Sequence, residues 1–245
     1  MAVSLYCTMP FGKMHGRNKE IIEFAKLIGR TPGAVARKLG NFASFDPSLK
    51  VRGVGGLPNT SKLDEEVWNE FYSNWDEAIM ESGKILAKKQ HTTIDQLIFK
   101  KEELKEHETE SLRQISVRLY QSLFRKMVIG IYNSRCCITG ITNEKLLIAS
   151  HIMPWSINPN NRLNPMNGLA LNALHDKAFD TGLLTIDAET YRVKLSSELK
   201  KKPTQVMEQN FLRYEEKEIM LPDKLLPGKN FLKWHNEEVF RKNVL

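Results

Sequence analysis

The sequence predicts an α+β fold in which a mostly helical N-terminal domain precedes a C-terminal domain of short strands and helices. The chain has 245 residues, of which 41% are hydrophobic and 27% charged, so it can bury a sizeable core. Apolar residues recur at helical spacing in the first 80 residues, whereas short apolar runs bounded by turn residues, typical of strands, begin near residue 146. We therefore divide the chain into an N-terminal domain (1–80), a linker (81–110) and a C-terminal domain (111–245).

Two short helices joined by a tight turn are predicted near the N-terminus. Residues 18–28 place their apolar side chains at helical spacing, and Gly29 is a natural helix end. Thr31 followed by Pro32 then resembles an N-cap with a proline at the first helical position, which predicts a second helix over residues 32–39. Such a helix-turn-helix can place its second helix in a DNA major groove. An ordinary helical hairpin that packs the domain is the alternative.

The rest of the N-terminal domain is predicted from aromatic spacing and composition. Trp68, Phe71, Tyr72 and Trp75 mark one amphipathic helix whose aromatic stripe completes the domain core. Residues 84–110 are dominated by Lys, Glu, Gln and Thr, which indicates a linker or a solvated helix.

The C-terminal domain is predicted to run helix, strand, strand, helix and hairpin. The hairpin is indicated by two apolar runs that flank a polar Asp-Ala-Glu-Thr tetrapeptide. The predicted elements are a helix over 111–132, strands over 146–152 and 168–171, a helix over 173–181, and hairpin strands over 183–186 and 191–195.

Positive charge is concentrated at the N-terminus. The chain carries 36 Lys and Arg against 29 Asp and Glu, a formal net charge of +7, and nearly all of the excess falls in residues 1–60. A basic region favours a polyanionic partner, most often nucleic acid, because neutralising phosphates releases counterions. A solvated basic face is the alternative. The candidate DNA contacts in this region are Arg30, Arg37, Lys38 and Arg52.

Several classes of protein are excluded. No apolar run approaches the roughly 20 residues that a membrane-spanning helix needs. Three cysteines cannot form a disulfide framework, and the N-terminus lacks the pattern of a secretory signal. We therefore expect a reduced, cytoplasmic protein without a membrane partner.

The most chemically versatile side chains fall between residues 150 and 182. His151 follows a predicted strand and precedes a turn at Pro154, where it can act as a general base because its ordinary pKa of about 6.5 leaves it mostly neutral at pH 7. His175, on the next helix, can bind a metal, and the Asn167 amide can pin a loop. From spacing alone, satisfied polar groups around a core are the alternative.

Four ordered motifs carry a family resemblance. They read C-I-T-G at 137–140, S-H-I-M-P-W at 150–155, N-G-L at 167–169 and L-H-D-K-A-F-D-T-G at 174–182. In this order they resemble the HNH nuclease family, and most closely its bacterial restriction endonuclease branch. Two N-terminal segments, L-Y-C-T-M-P-F-G and I-G-R-T-P-G-A-V-A-R-K-L, are similar to those that precede the nuclease domain in that branch. The resemblance implies a ββα-metal fold, two strands and a helix around one divalent ion, for the C-terminal domain.

The resemblance also implies roles for individual residues. His151 becomes the general base that activates water, His175 a metal ligand, and Asn167 the residue that orients the loop. The divalent ion, expected to be Mg²⁺ or Mn²⁺, would stabilise charge on the phosphate and on the departing 3′ oxygen. Arg162, between the S-H-I-M-P-W and N-G-L motifs, either holds a neighbouring phosphate or is a solvated loop arginine.

The sequence departs from the family pattern at the metal sites. Many members have an aspartate before the first histidine, whereas this chain has Ser150, a poor ligand for a hard cation. Asp176 or Asp180 then supplies the carboxylate, or water fills the position. Many members also hold a structural zinc with two C-x-x-C pairs. This chain lacks them, so no structural zinc is expected, and its cysteines are predicted to be core residues: Cys7, Cys136 and Cys137.

The family resemblance leads us to expect a restriction-type endonuclease that cleaves double-stranded DNA. One such site cuts one strand, so a double-strand break calls for a homodimer or two encounters. Cleavage is expected to fade below about pH 6 as His151 becomes protonated. Two alternatives stay open: a DNA-binding protein with a weak or inactive nuclease domain, motivated by Ser150, and a nuclease of RNA or single strands.

Overall fold

The computed structural model describes residues 1–98, 112–201 and 204–240. Residues 1–98 are helical and residues 147–195 contain four short strands, so the α+β class is confirmed. No helix in the described ranges is long and apolar enough to cross a bilayer. The helices of the first range are α1 (Ala2–Tyr6), α2 (Lys19–Leu27), α3 (Pro32–Ala43), α4 (Pro47–Val51), α5 (Lys62–Ser73), α6 (Trp75–Lys89) and α7 (Ile94–Ile98).

The predicted helix-turn-helix pair is confirmed as α2 and α3. The Asn18 side chain caps α2 by accepting hydrogen bonds from the next turn, and Gly29 leaves the helix with a φ of +66°, which glycine adopts without strain. The Thr31 hydroxyl caps α3 by accepting from the Ala34 amide at 3.2 Å, and Pro32 occupies the first turn. The two predicted helices and the start of α3 are therefore confirmed, whereas α3 continues to Ala43, beyond the predicted end at residue 39. A role of this pair in reading DNA stays a prediction, with a packing hairpin as the alternative.

The aromatic stripe does not lie on one helix, as the spacing predicts, but on two. Asn74 breaks the helix with φ −146° and ψ 78°, and its side chain accepts a hydrogen bond from the Glu77 amide, so it caps α6. The four aromatic rings still pack together across this break. Of the predicted linker, residues 81–98 belong largely to α6 and α7, which agrees with the helical alternative, and residues 99–110 lie outside the described residues. The division into domains stays a prediction.

The C-terminal part follows the predicted order of a helix, two strands, a helix and a hairpin. Strands β1 and β2 pair antiparallel, with His151 opposite Gly168. The helix that follows begins directly after β2, because the Asn172 side chain accepts from the His175 amide at 3.0 Å and caps it. The elements are α8 (Leu112–Ile131), β1 (Leu147–His151), β2 (Gly168–Asn172), α9 (Ala173–Asp180), β3 (Leu184–Ile186), β4 (Val193–Leu195), α10 (Ser197–Lys200), α11 (Gln205–Asn210), α12 (Lys229–His235) and a π-helical turn (Asn236–Phe240).

Helix α8 packs directly on the β1–β2 pair, and Gly168 permits this approach. A Cβ at Gly168 would lie 2.4 Å from Val128 Cγ2 and 2.9 Å from Phe124 Cζ, both on α8. The glycine of the N-G-L motif is therefore needed for close packing, since any side chain here would push the helix away. This contact also brings Phe124 beneath the end of β1.

The N-terminal helices and the C-terminal loops share one hydrophobic core. The fully buried Asp46 carboxylate accepts from the Tyr6 hydroxyl at 2.8 Å and from the Leu225 amide at 3.2 Å. Lys224 is also fully buried, donates to the Tyr6 carbonyl, and places its ammonium 3.8 Å from the centre of the Tyr6 ring. The Leu226 amide donates to Ser48 at 2.9 Å. These contacts fix the α1 and α4 region to the loop at residues 224–226.

Candidate active site

An open cleft of about 680 Å³ lies at the end of β1, between the following loop and the outer face of α9. It brings together four residues that the sequence singles out: Ser150 and His151 from β1, and Asp176 and Asp180 from α9. The juxtaposition follows from the topology, because β1 pairs with β2 and α9 begins where β2 ends. The described part of the chain thus places a histidine and two carboxylates on one surface.

His151 is held on three sides. Its ring stacks on Phe124 with the centroids 3.5 Å apart and the planes 11° from parallel. Its Nε2 donates to the Arg162 carbonyl at 3.0 Å, and its Nδ1 accepts from the Trp155 indole N–H at 3.2 Å. Since a carbonyl only accepts hydrogen bonds, the proton resides on Nε2 and the lone pair on Nδ1. Burial disfavours the charged ring and lowers the pKa of His151 to about 4.

Asn167 is buried behind the cleft and pins the loop that follows β1. Its side-chain oxygen accepts from the Met153 amide at 2.9 Å, and its side-chain nitrogen donates to the Met153 carbonyl at 2.9 Å. Its backbone carbonyl accepts from the Ile152 amide at 3.0 Å. One asparagine therefore fixes the backbone just beyond His151, which is the orienting position that the resemblance implies.

Asp176 and Asp180 lie one turn apart on the outer face of α9. Desolvation raises the pKa of both carboxyl groups, and the negative charge of Asp176 raises the pKa of Asp180 further. Lys177 and the nearby Ser150 hydroxyl oppose the rise at Asp176. The buried Ser150 hydroxyl completes no well-aligned hydrogen bond within the described residues. The carboxylates repel each other, and a cation between them would relieve that repulsion.

These oxygen donors fit a hard divalent cation. Carboxylates, phosphate and water are the ligands that Mg²⁺ and Mn²⁺ prefer, and Mg²⁺ is often held by only one or two protein carboxylates. In the described ranges no three His, Cys, Asp or Glu side chains converge as a closed metal cluster. Asp176 and Asp180 therefore suit an open site in which substrate and water complete the coordination.

His175 does not reach the cleft, and the structure places it apart from the other candidate metal ligands, Asp176 and Asp180. It is 1% exposed on the inner face of α9. Its Nδ1 accepts from the Asn172 amide nitrogen at 2.9 Å, and its Nε2 donates to the Asn210 carbonyl at 2.6 Å. Both ring nitrogens are therefore occupied by protein groups. Buried Phe179, four residues on, is the sequence signal that places His175 on the inner face.

The cysteines are buried, as predicted for core residues. The Cys136 sulfur accepts from the Asn172 amide at 3.3 Å and from the Thr139 amide at 3.5 Å, which ties the C-I-T-G motif to the end of β2. Desolvation raises the pKa of Cys136, but the neighbouring His175 ring and the hydrogen bonds around Thr139 outweigh it and lower the value to about 7.

The candidate DNA contacts divide into two groups. Arg30 and Arg37, in the turn before α3 and on α3, are exposed. Lys38 instead forms an ion pair with the buried Asp64, and Arg52 donates to the Asp223 carbonyl. Arg162 lies beside Trp155, which lines the cleft, with its guanidinium carbon 6.0 Å from the centre of the Trp155 ring and 5.7 Å from that of Tyr120.

Two contributors to the site escape sequence reasoning. The Trp155 indole N–H donates a hydrogen bond to His151, the candidate base, although its position in the motif does not predict this contact. Asp76, at the start of α6, accepts a hydrogen bond from the Leu163 amide at 2.8 Å, directly beside Arg162. Asp76 and Leu163 are 87 positions apart in the sequence, so no local pattern predicts this contact. The site is thus supported from the N-terminal half.

The comparison with protein families agrees with this geometry. Residues 136–187, about a fifth of the chain, match the family model described as HNH endonuclease. No curated protein matches the chain by sequence. The matched segment contains β1, β2 and α9, the elements that form the cleft. The resemblance to the HNH nuclease family is therefore confirmed for residues 136–187, which form an HNH endonuclease domain, whereas the restriction branch stays a prediction.

Proposed function

We propose that the protein is a divalent-metal-dependent endonuclease of restriction type that hydrolyses phosphodiester bonds in double-stranded DNA. One observation carries the proposal: an uncharged histidine with its lone pair on Nδ1 shares a cleft with two carboxylates on α9. A base beside a cation site is the minimal apparatus for attack of water on a phosphate.

His151 is the base in this proposal. Its Nδ1 removes a proton from water as the water oxygen forms a bond to phosphorus, and the bond from phosphorus to the 3′ oxygen breaks. The products carry a 5′-phosphate and a 3′-hydroxyl, with the 3′ oxygen protonated from solvent. The Arg162 carbonyl keeps the ring oriented through Nε2, and this hydrogen bond strengthens when the ring becomes positively charged.

Asp176 and Asp180 would hold the divalent ion, Mg²⁺ or Mn²⁺. When bound, the ion would neutralise charge on the phosphate and on the departing oxygen. Ser150 supports this site by directing its hydroxyl toward the Asp176 carboxylate rather than by serving as a ligand. His175 has no part in metal binding here, because both of its nitrogens are engaged.

The N-terminal helices supply DNA affinity in this proposal. Arg30 and Arg37 are exposed, and each phosphate that they neutralise would make binding more sensitive to salt. Arg162 would hold a phosphate next to the scissile bond. A homodimer would place one such site on each strand.

The test is cleavage of supercoiled plasmid with Mg²⁺, Mn²⁺ or EDTA. We expect nicking with either metal and none with EDTA. His151→Ala should lower the rate by at least about 100-fold, and Asp176→Asn should raise the metal concentration needed. His15→Ala, the same change at an exposed histidine outside the cleft, is the matched control and should cleave normally.

Other outcomes would point elsewhere. If His151→Ala cleaved as fast as the wild type, the proposed base would be wrong. Faster cleavage of RNA or single-stranded DNA would favour a nuclease of those substrates. Tight, salt-sensitive duplex binding without cleavage would instead favour a DNA-binding protein whose nuclease site is inactive.

A further inference from the structure

The base atom of His151 is occupied by a side chain of the same loop. Because Nε2 donates to the Arg162 carbonyl, Nδ1 is the atom that can take a proton, and the Trp155 indole N–H donates to it at 3.2 Å. An sp² nitrogen has one lone pair, so water cannot bond to Nδ1 while this hydrogen bond persists. The arrangement in the structure is therefore closed to the reaction proposed above.

Trp155 stands between two clefts. His151 and Trp155 line both the carboxylate cleft and a neighbouring cleft of about 330 Å³, which Gln121 and Arg125 of α8 border on its far side. The Trp155 side chain is only half-buried, so there is room for the ring to rotate. The backbone before it is fixed by Asn167, which holds both the amide and the carbonyl of Met153. A change of side-chain rotamer is therefore the simplest way to uncover Nδ1.

Arg162 links the indole to the substrate. Its guanidinium lies 6.0 Å from the centre of the Trp155 ring, within the range of an attractive contact between a cation and an aromatic face. A phosphate that binds this guanidinium competes for it with the ring. DNA binding thus weakens the contact that helps to retain the indole.

We propose that Trp155 is a positioning residue that covers the His151 base in the free protein and uncovers it when DNA binds. This inference rests on the proposed nuclease function. The indole N–H keeps the ring proton on Nε2 and the lone pair on Nδ1, and the attacking water takes its place when the ring rotates. The protein is therefore restrained from hydrolysing small phosphodiesters, which contact too little of its surface to move the indole.

The kinetic test uses Trp155→Phe, which keeps an aromatic ring and lacks the N–H. Wild type and variant are compared on bis(p-nitrophenyl) phosphate and on plasmid DNA with Mg²⁺. We expect Trp155→Phe to raise kcat on the small diester about tenfold and to leave KM unchanged. Tenfold is the factor that corresponds to the loss of a hydrogen bond of about 1.4 kcal/mol. Plasmid cleavage, in which DNA already moves the indole, should change by less than about threefold. Unchanged or slower hydrolysis of the small diester by a folded variant would overturn the proposal.

A spectroscopic test requires no cleavage. The four tryptophans give separate indole N–H signals in ¹⁵N spectra, and the signal lost in Trp155→Phe identifies Trp155. Trp234→Phe, on α12 and outside both clefts, is the matched control. The Trp155 signal should shift and exchange faster with solvent in His151→Ala, and should shift the same way when duplex DNA is added to wild type in EDTA. If the Trp155 signal did not respond to the His151→Ala substitution, or did not respond to duplex DNA, the inference would be contradicted.

The two tests separate this inference from the function on which it rests. If His151→Ala kept full cleavage while its Trp155 signal shifted, the indole contact would exist but the base assignment would fail. If His151→Ala abolished cleavage while Trp155→Phe left the small-diester rate unchanged, the nuclease would stand and the covering role of Trp155 would fall.

Discussion

The burial of one histidine changes the expected pH dependence. The ordinary pKa of the side chain predicts that cleavage fades below about pH 6, but burial of the ring disfavours its charged form and lowers the pKa of His151 to about 4. The neutral, basic form therefore persists well below pH 6. A buried histidine base therefore predicts a cleavage rate that does not change with pH in the weakly acidic range.

We predict that kcat/KM for plasmid cleavage stays constant from about pH 8 to pH 5. Below that range the rate should fall as His151 gains a proton near pH 4. Initial rates at saturating metal, in a constant-ionic-strength buffer series, measure this. A midpoint near 6.5 would mean that the base is an exposed histidine and not His151.

Local signals in the sequence were enough to predict the elements that build the site. The N-cap and proline at Thr31 and Pro32 predict where α3 begins, and short apolar runs with flanking turns predict the two strands beside the cleft. The break at Asn74 was missed because the aromatic spacing continues across it. The orientation of His175 was missed because its motif suggests a ligand, whereas its helical phase with Phe179 places it inside.

The contact between α6 and the loop before β2 makes a prediction at the scale of elements. The Asp76 carboxylate accepts from the Leu163 amide, one residue from the carbonyl that orients His151. Asp76→Ala leaves that amide without its partner and loosens the carbonyl. We expect kcat for plasmid cleavage to fall about tenfold while the Kd for DNA stays within about twofold.

Steady-state kinetics and a DNA-binding titration together measure this effect. Asp95→Ala is the matched control, because it removes an aspartate from another helix of the N-terminal half, α7, outside both clefts. Equal kcat in the two variants would show that the Asp76 contact does not influence the base.

At the scale of the whole molecule, buried histidines limit stability in acid. His235 is 2% exposed, with Nδ1 accepting from the Thr185 hydroxyl at 2.7 Å and Nε2 donating to the Phe179 carbonyl at 3.0 Å, so it is a core residue. Burial lowers its pKa to about 4, whereas the unfolded chain takes up this proton near pH 6.5. Stability from this group is thus present above pH 6.5 and is lost as the pH falls toward 4.

We predict that the free energy of unfolding falls by about 2 kcal/mol from His235 alone between pH 7.5 and pH 5. His235→Gln cannot titrate, so the fall measured by urea denaturation should be smaller by about that amount. His15→Gln, at an exposed position, should leave the fall unchanged. The same loss in all three proteins would contradict the assignment.

The cap at the end of β2 has a consequence for how such a site can change. Asn172 decides at which residue α9 begins, and its amide also reaches the Thr139 hydroxyl and His175. Successive helix residues point about 100° apart, so a start displaced by one residue would rotate Asp176 and Asp180 away from the cleft and carry a neighbour into it. The direction in which the two carboxylates point therefore depends on Asn172, which is buried and does not line the cleft. We therefore expect one residue inserted between Asn172 and Asp176 to weaken the proposed metal site, while every acidic side chain remains in the sequence.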